Sequence, residues 1–167
     1  SNKSLLRSRV ACRVKDTSIS NQYDLYARTC ADGSYMKENV DFTDSYSPVA
    51  GIDSIRCLLN ISAASGLTVR VLDISNAFQT AIIFDASERV HITLPPFYLE
   101  WFQHTWPDFD LPSTNAKDLA VPCLKSLQGT KDAGKRWYAL LSGRFRELKM
   151  SRSSSDHGVF IWDINGE

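Results

Sequence analysis

Read as a pattern of apolar and polar positions, the chain separates into segments with distinct periods. Arg9 to Lys15 alternates as a strand does, and Tyr23 to Ala31 returns with the same alternation. The polar run Asp16 to Gln22 between them has turn composition, so the three together predict a β-hairpin with a long tip. Asp41 to Val49 is irregular and carries the breaker Pro48. From Gly51 to Ser65, Ile52, Ile55, Leu58 and Leu59 recur at helical spacing, and Gly66 is placed to stop the helix.

The run Leu67-Thr-Val-Arg-Val-Leu-Asp-Ile74 is short, β-branched and apolar on both faces apart from Arg70 and Asp73. That composition predicts a central strand covered on both sides. Val90 to Leu94 reads as another strand, ended by Pro95-Pro96, and Val121 to Ser126 as a short one. Tyr98 to Lys117, rich in aromatics, Pro, Asp and Asn, reads as an excursion outside the core. Asp132 to Met150 carries an apolar stripe of Trp137, Leu140 or Leu141, Phe145 and Leu148, which predicts the longest helix. Val159 to Trp162 reads as a last strand, with Asn165-Gly166 as a turn signal. The expected architecture is α+β: a hairpin beside a helix-backed antiparallel sheet whose central strand carries an acid.

Composition narrows this little. The 167 residues are 43% hydrophobic and 23% charged, suiting one compact domain or two interleaved lobes rather than a disordered chain. Basic and acidic residues balance at 19 each, unlike a dedicated nucleic-acid binder. The distribution is uneven, however. Lys125 to Arg152 holds eight basic residues against Asp132 and Glu147, and the first 16 residues hold five against Asp16. A solvated face and a phosphate-binding face both fit such runs. Cys12, Cys30, Cys57 and Cys123 form no Cys-x-x-Cys pair, which argues against zinc and for free, mostly buried thiols in a reducing compartment. No signal peptide or apolar run near 18 residues is present, so an intracellular site, cytoplasmic or nuclear, is expected, with no membrane partner.

Two places could carry chemistry. A carboxylate in an apolar strand is costly unless something binds it, so Asp73 is either a satisfied structural acid or a metal ligand at a strand end. Two-metal phosphoryl transfer uses such carboxylates, and magnesium needs only one or two of them beside substrate phosphates. Asn76-Ala-Phe78 then begins the turn beyond the strand, where backbone N–H groups could meet phosphate and Phe78 could wall a sugar. The second place is Ser126-Leu-Gln-Gly-Thr-Lys-Asp-Ala-Gly134, a glycine-containing loop leading into the basic helix. It lacks both the Gly-x-Gly-x-x-Gly and Walker patterns, and a structural turn is the favoured reading of it taken alone.

Taken in order, these segments resemble copia-type retrotransposon reverse transcriptases. Tyr26-Ala-Arg-Thr-Cys-Ala-Asp-Gly33 and Val40-Asp-Phe-Thr-Asp-Ser-Tyr-Ser-Pro-Val-Ala50 are similar to the family's Lys-Ala-Arg-Leu-Val-Ala-Lys-Gly and Ile-Asp-Tyr-x-Glu-Thr-Phe-Ser-Pro-Val-Ala. Ser54-Ile-Arg-Cys-Leu-Leu59 resembles its helix, and Leu72-Asp-Ile-Ser-Asn-Ala-Phe78 its Leu-Asp-Val-x-Asn-Ala-Phe. Pro95-Pro96 follows as in the family. Lys125-Ser-Leu-Gln-Gly-Thr-Lys-Asp-Ala-Gly-Lys-Arg-Trp-Tyr138 is similar to Lys-Ser-Leu-Tyr-Gly-Leu-Lys-Gln-Ala-Pro-Arg-Ala-Trp-Tyr, and Ser155-Asp156 with Val159-Phe-Ile161 to Ser-Asp-x-x-Leu-Phe-Ile.

The resemblance implies a reverse-transcriptase-like fold truncated before the Tyr-x-Asp-Asp motif. Residues 1–50 would be fingers, 51–80 palm, 81–127 fingers again, and 128–167 an incomplete second stretch of palm. It implies an RNA-directed DNA polymerase that binds template–primer and deoxynucleotide and uses Mg2+. Asp73 would be the catalytic metal ligand. Arg28, Ala77, Phe78, Gln128, Gly129 and Lys131 would bind the nucleotide, with Phe78 sensing the ribose 2′-OH. Lys135, Arg136 and Arg144 would contact template–primer backbone. The remaining palm, thumb and ribonuclease H regions would be partners, and an open sheet edge would permit self-association.

Several positions depart from the family in ways that bear on charge or backbone. Tyr26 and Asp32 stand where it has lysines, Asp132 where it has Gln and Gly134 where it has Pro. About three residues are inserted between Phe78 and Pro95. With a single carboxylate, the isolated chain is expected to be inactive as a polymerase. A degenerate, non-catalytic remnant that binds nucleic acid or protein is the competing reading, favoured by the lost lysines. An unrelated α+β domain with a structural Asp73 is a third.

Overall fold

A computed structural model describes residues 3–16, 23–81 and 83–162. Eleven regular elements run β1 (Leu5–Leu6), β2 (Ser8–Asp16), β3 (Tyr23–Ala31), α1 (Ile52–Ala64), α2 (Ala77–Thr80), β4 (His91–Thr93), α3 (Pro96–Thr105), β5 (Ala120–Pro122), α4 (Ala133–Glu147), β6 (Met150–Arg152) and β7 (Phe160–Trp162), with 3-10 turns at Gly33–Tyr35 and Ala116–Asp118. The chain is therefore mixed α and β, as expected. The strands form three small sheets rather than one.

The hairpin stands where the alternation placed it. β2 and β3 pair antiparallel in one unbroken register from Ser8 opposite Ala31 to Asp16 opposite Tyr23. Its expected tip falls outside the described residues. Its base is anchored in the first core. There β4 pairs parallel with β1 and antiparallel with β5. Leu6, Ala31, Met36, Val90, Ile92 and Cys123 bury together, with Phe42, Val121 and Leu127 packed against them. β1 was not legible as a strand, because two residues give no period.

Two backbone stretches press against each other at this base. Ala31 N–H donates to the Gln128 carbonyl at 2.7 Å, and Asp32 N–H to the Arg7 carbonyl at 2.7 Å. A Cβ on Gly33 would collide with the Gly129 carbonyl, and one on Gly129 with the Ala31 carbonyl. Gly129 also holds φ +94°, a conformation that side chains disfavour. The glycines therefore let the loop before α4 lie against the root of the hairpin.

α1 ends as expected, with Gly66 at φ +66° and Leu67 N–H returning to the Ser62 carbonyl at 2.8 Å. Its start is tied by a distant carboxylate. Asp156 accepts from Gly51 N–H at 2.8 Å, Ser54 Oγ at 2.5 Å and Gly158 N–H at 2.9 Å. These donors, the Ser54 hydroxyl foremost, hold the Asp156 carboxyl below its ordinary range. α4 packs on the β6–β7 hairpin through Phe145 and Phe160, whose ring centroids lie 4.8 Å apart.

Three expectations need correction. Leu67–Ile74 is not a central strand: residues 67–74 form no regular element, and Val71 and Leu72 are 91% and 90% exposed. Alternation records which faces want burial, and within the described residues nothing supplies a second strand to cover them. The expected sheet with an acid-bearing central strand is accordingly not formed among the described residues, and α4 backs only the two-stranded antiparallel β6–β7 pair. The excursion at Tyr98–Lys117 is not free of core. Pro96, at the first helical position where a missing N–H costs nothing, starts α3, and Leu99, Ala116 and Leu119 bury together with Leu111 against them. The thiols are not mostly buried either. Only Cys123 is, and burial pushes its thiol up, whereas Cys12 and Cys57 are exposed and Cys30 half-buried.

Candidate nucleotide-binding cleft

The hairpin, the segment 73–78 and the loop before α4 converge on one open cavity of about 610 Å³. β2 and β3 contribute Ala11, Cys12, Arg13, Tyr26 and Arg28. The stretch ahead of α2 contributes Asp73 through Phe78, and Gln128 closes the third side. Sequence distance is bridged by the hairpin root: the glycine-permitted contact between residues 31–33 and 128–130 brings Gln128 beside the strands. At the other side, Asn76 adopts a left-handed conformation at φ 53°, which reverses the chain and starts α2 at Ala77.

Five of the residues singled out in the sequence, Arg28, Asp73, Ala77, Phe78 and Gln128, line this one cavity. The cavity's charged side chains are two cations, Arg13 and Arg28, and one anion, Asp73. Arg28 donates to the Tyr26 hydroxyl at 3.4 Å and lies 5.5 Å from that ring's centroid. The Tyr26 contact raises the Arg28 guanidinium above its ordinary value, so it is cationic at every accessible pH. Gln128 Oε1 is shut off from solvent with no hydrogen-bond partner among the described residues.

Asp73 itself is exposed, so the desolvation argument that drew attention to it does not apply. What distinguishes it is position, as the carboxylate that shares a cavity lining with Arg13 and Arg28. Among the described residues no three His, Cys, Asp or Glu side chains cluster as a metal cage. One carboxylate fits a magnesium ion shared with substrate phosphates and does not fit a pair of ions.

The other candidates lie outside the cavity lining, each with a neighbour of its own. Gly129 faces Ala31. Lys131 Nζ donates to the Met36 carbonyl at 3.0 Å and sits 5.4 Å from the Phe42 ring centroid. Lys135 pairs with Asp44 at 3.1 Å, and Arg144 with Glu147 at 2.8 Å. Arg136 is bound twice, by Asp132 at 2.6 Å and Glu88 at 3.3 Å, over the Phe84 ring. Asp132, standing where the family has Gln, thus anchors Arg136 to the first turn of α4. Asp32, standing where the family has Lys, bridges to Arg9 at 2.7 Å and caps the turn at Gly33–Tyr35. Both departures have structural uses.

Sequence reasoning missed Ala11, Cys12 and Arg13. The signal was there: with two nine-residue strands in register, Ala11 falls opposite Arg28 and Arg13 opposite Tyr26.

A family model described as reverse transcriptase (RNA-dependent DNA polymerase) matches residues 2–167. The chain belongs to the reverse transcriptase family. Its curated relatives include the retrovirus-related Pol polyproteins from transposons RE1 and RE2 of Arabidopsis thaliana, 28% and 27% identical over 135 residues. The corresponding polyprotein from transposon TNT 1-94 of Nicotiana tabacum is 28% identical over 135 residues. Each alignment covers 81% of this chain but only 8% or 9% of the relative. The copia-type kinship expected from the ordered motifs therefore stands. No solved structure matches the chain. No helix among the described residues is long and apolar enough to cross a membrane.

Proposed function

We propose that the cleft between the β2–β3 hairpin and residues 73–78 binds the incoming deoxynucleoside triphosphate of a retrotransposon RNA-directed DNA polymerase. The observation that carries this is the convergence of Arg28, Asp73, Ala77, Phe78 and Gln128 on one cavity from three separated stretches of sequence. Arg28 and Arg13 neutralise triphosphate charge. Asp73 holds one magnesium ion together with phosphate oxygens, and that ion supplies Lewis-acid charge stabilisation when bound. Phe78 walls the sugar on its 2′ side, and Gln128 offers its orphaned amide to a ligand donor. In this reading residues 1–50 and 81–127 are fingers and residues 51–80 and 128–167 are palm.

On the template side, Lys135 and Arg144 exchange their surface carboxylates for backbone phosphate, which costs little because exposed pairs are weak. Arg136, held by two carboxylates, serves chiefly as a strut. The exposed apolar rows on α1 and residues 67–74 receive the rest of the polymerase domain. A lone carboxylate leaves the isolated chain without polymerase activity. A non-catalytic remnant is the second reading, favoured by the conversion of positions 26 and 32 from cations to structural ties.

Titration of the chain with dTTP and Mg2+ tests the proposal. Arg28→Ala should weaken binding about tenfold, the loss of one charge-assisted phosphate contact. Asp73→Asn should abolish the enhancement of binding by Mg2+. Equal affinity in all three proteins, or none in any, would sink the nucleotide-site reading and leave the remnant.

A further inference from the structure

We propose that the aromatic face of α3 and the turn after it is a docking surface for an arginine-rich segment of a separate protein. The inference is independent of the nucleotide cleft. Five rings form a connected array: Tyr98 to Trp101 at 5.2 Å, Trp101 to Trp106 at 5.4 Å, Trp106 to Phe102 at 4.8 Å and Phe102 to Phe109 at 5.4 Å between centroids. The array is not core. Leu99 turns inward to its own small cluster, while Phe97, Trp101, Trp106 and Phe109 are each about half exposed. At about 100° per residue, Phe97, Glu100, Trp101 and His104 share an arc opposite Leu99. Contiguous exposed aromatics of this kind mark interaction sites, because Trp and Tyr bring large rigid area at low entropic cost.

Charge selects the occupant. No lysine or arginine occurs between Arg89 and Lys117, whereas Glu100, Asp108 and Asp110 stand beside the rings in sequence. These three are exposed and make no ion pair or side-chain hydrogen bond among the described residues. Nucleic-acid phosphate would be repelled. A guanidinium can stack on an indole face while pairing with a carboxylate, which an ammonium does less well.

The test uses fluorescein-labelled octa-arginine, octa-lysine and oligo(dT) as probes of the whole chain by anisotropy at physiological salt. Octa-arginine should bind about threefold or more tightly than octa-lysine, as a stacked cation should. Trp101→Leu should erase that preference. The combined Glu100→Gln, Asp108→Asn and Asp110→Asn variant, altered only at exposed positions, should weaken both peptides about tenfold or more. Equal binding of the two peptides, or binding unchanged in the variants, would overturn the proposal. So would oligo(dT) binding that Trp101→Leu removes, which would make the surface a base-stacking platform. Self-association lost in the variants would assign it instead to a second copy.

Discussion

Two apolar regions of this molecule have opposite fates. Around β1, β4 and β5, Leu6, Ile92 and Val90 are shut from solvent, and the backbone on both sides of the hairpin root is stitched by short hydrogen bonds. Along α1 and residues 67–74, Ile52, Leu58, Ile61, Leu67, Val71 and Leu72 are exposed. An apolar period states that a face has to be covered and leaves open what covers it. In the first region the partner strands lie within the chain. In the second no partner strand is found among the described residues, although the sequence there is the more strand-like of the two. The catalytic-type acid, Asp73, belongs to this second region, so the cleft joins a hairpin rooted in the closed core to an uncovered stretch.

The same substitution should separate the regions. Leu6→Ala, at a side chain with no exposure, is expected to cost about 2–5 kcal/mol in chemical denaturation, transfer and cavity terms together. A cost near zero would mean that the first core is not closed.

A polar tie in the same core ranks next. Asp41 is 2% exposed and accepts from the backbone N–H groups of Ser4 and Lys37, each at 2.7 Å. Burial pushes its carboxyl up, but those donors, the Ser4 hydroxyl and the nearby Lys3 ammonium outweigh burial and leave it below its ordinary value. Asp41→Asn should cost about 1–3 kcal/mol at neutral pH. Because the folded value is depressed, the stabilisation is present above the ordinary carboxylate range, near pH 3.9, and is lost as pH falls through the folded value. The variant's deficit should therefore shrink on acidification through that window. A deficit constant with pH would assign the effect to packing.

The smallest effect is expected in the second region. Leu72→Ala should change stability by no more than about 0.5 kcal/mol. It should also reduce binding of a hydrophobic dye. A loss matching that of Leu6→Ala would show that residues 67–74 are covered after all and dissolve the contrast.

The contrast also sets what the sequence could disclose. The hairpin, α1, β4, α4 and β7 were legible because each is a local period with its own stop signals, such as Gly66 and Pro95-Pro96. The strand at Leu67–Ile74 was read from the same kind of evidence and does not form, since a strand exists only with a neighbour to pair with. β1, β6 and α2 were missed because two to four residues hold no period. α3 was missed because its aromatics and acids obscure the pattern around Leu99. In the cleft, Asp73, Phe78 and Gln128 stood out through ordered motifs. Arg13 could be found only by pairing one strand against the other. The surface lysines and arginines of α4 read as one basic face, yet Arg136 is held internally by Asp132, four residues before it at the N-cap of the same helix, and by Glu88, which only the fold brings near.

The central claim, that the β2–β3 hairpin and the uncovered residues 73–78 together form a nucleotide cleft, is tested most directly by hydrogen exchange of the chain with and without dTTP and Mg2+. Slowed exchange should appear at residues 73–78 and at the loop around Gln128, with the amides of α3 unchanged. Exchange at 73–78 that is indifferent to nucleotide, or protection confined to α3, would contradict it.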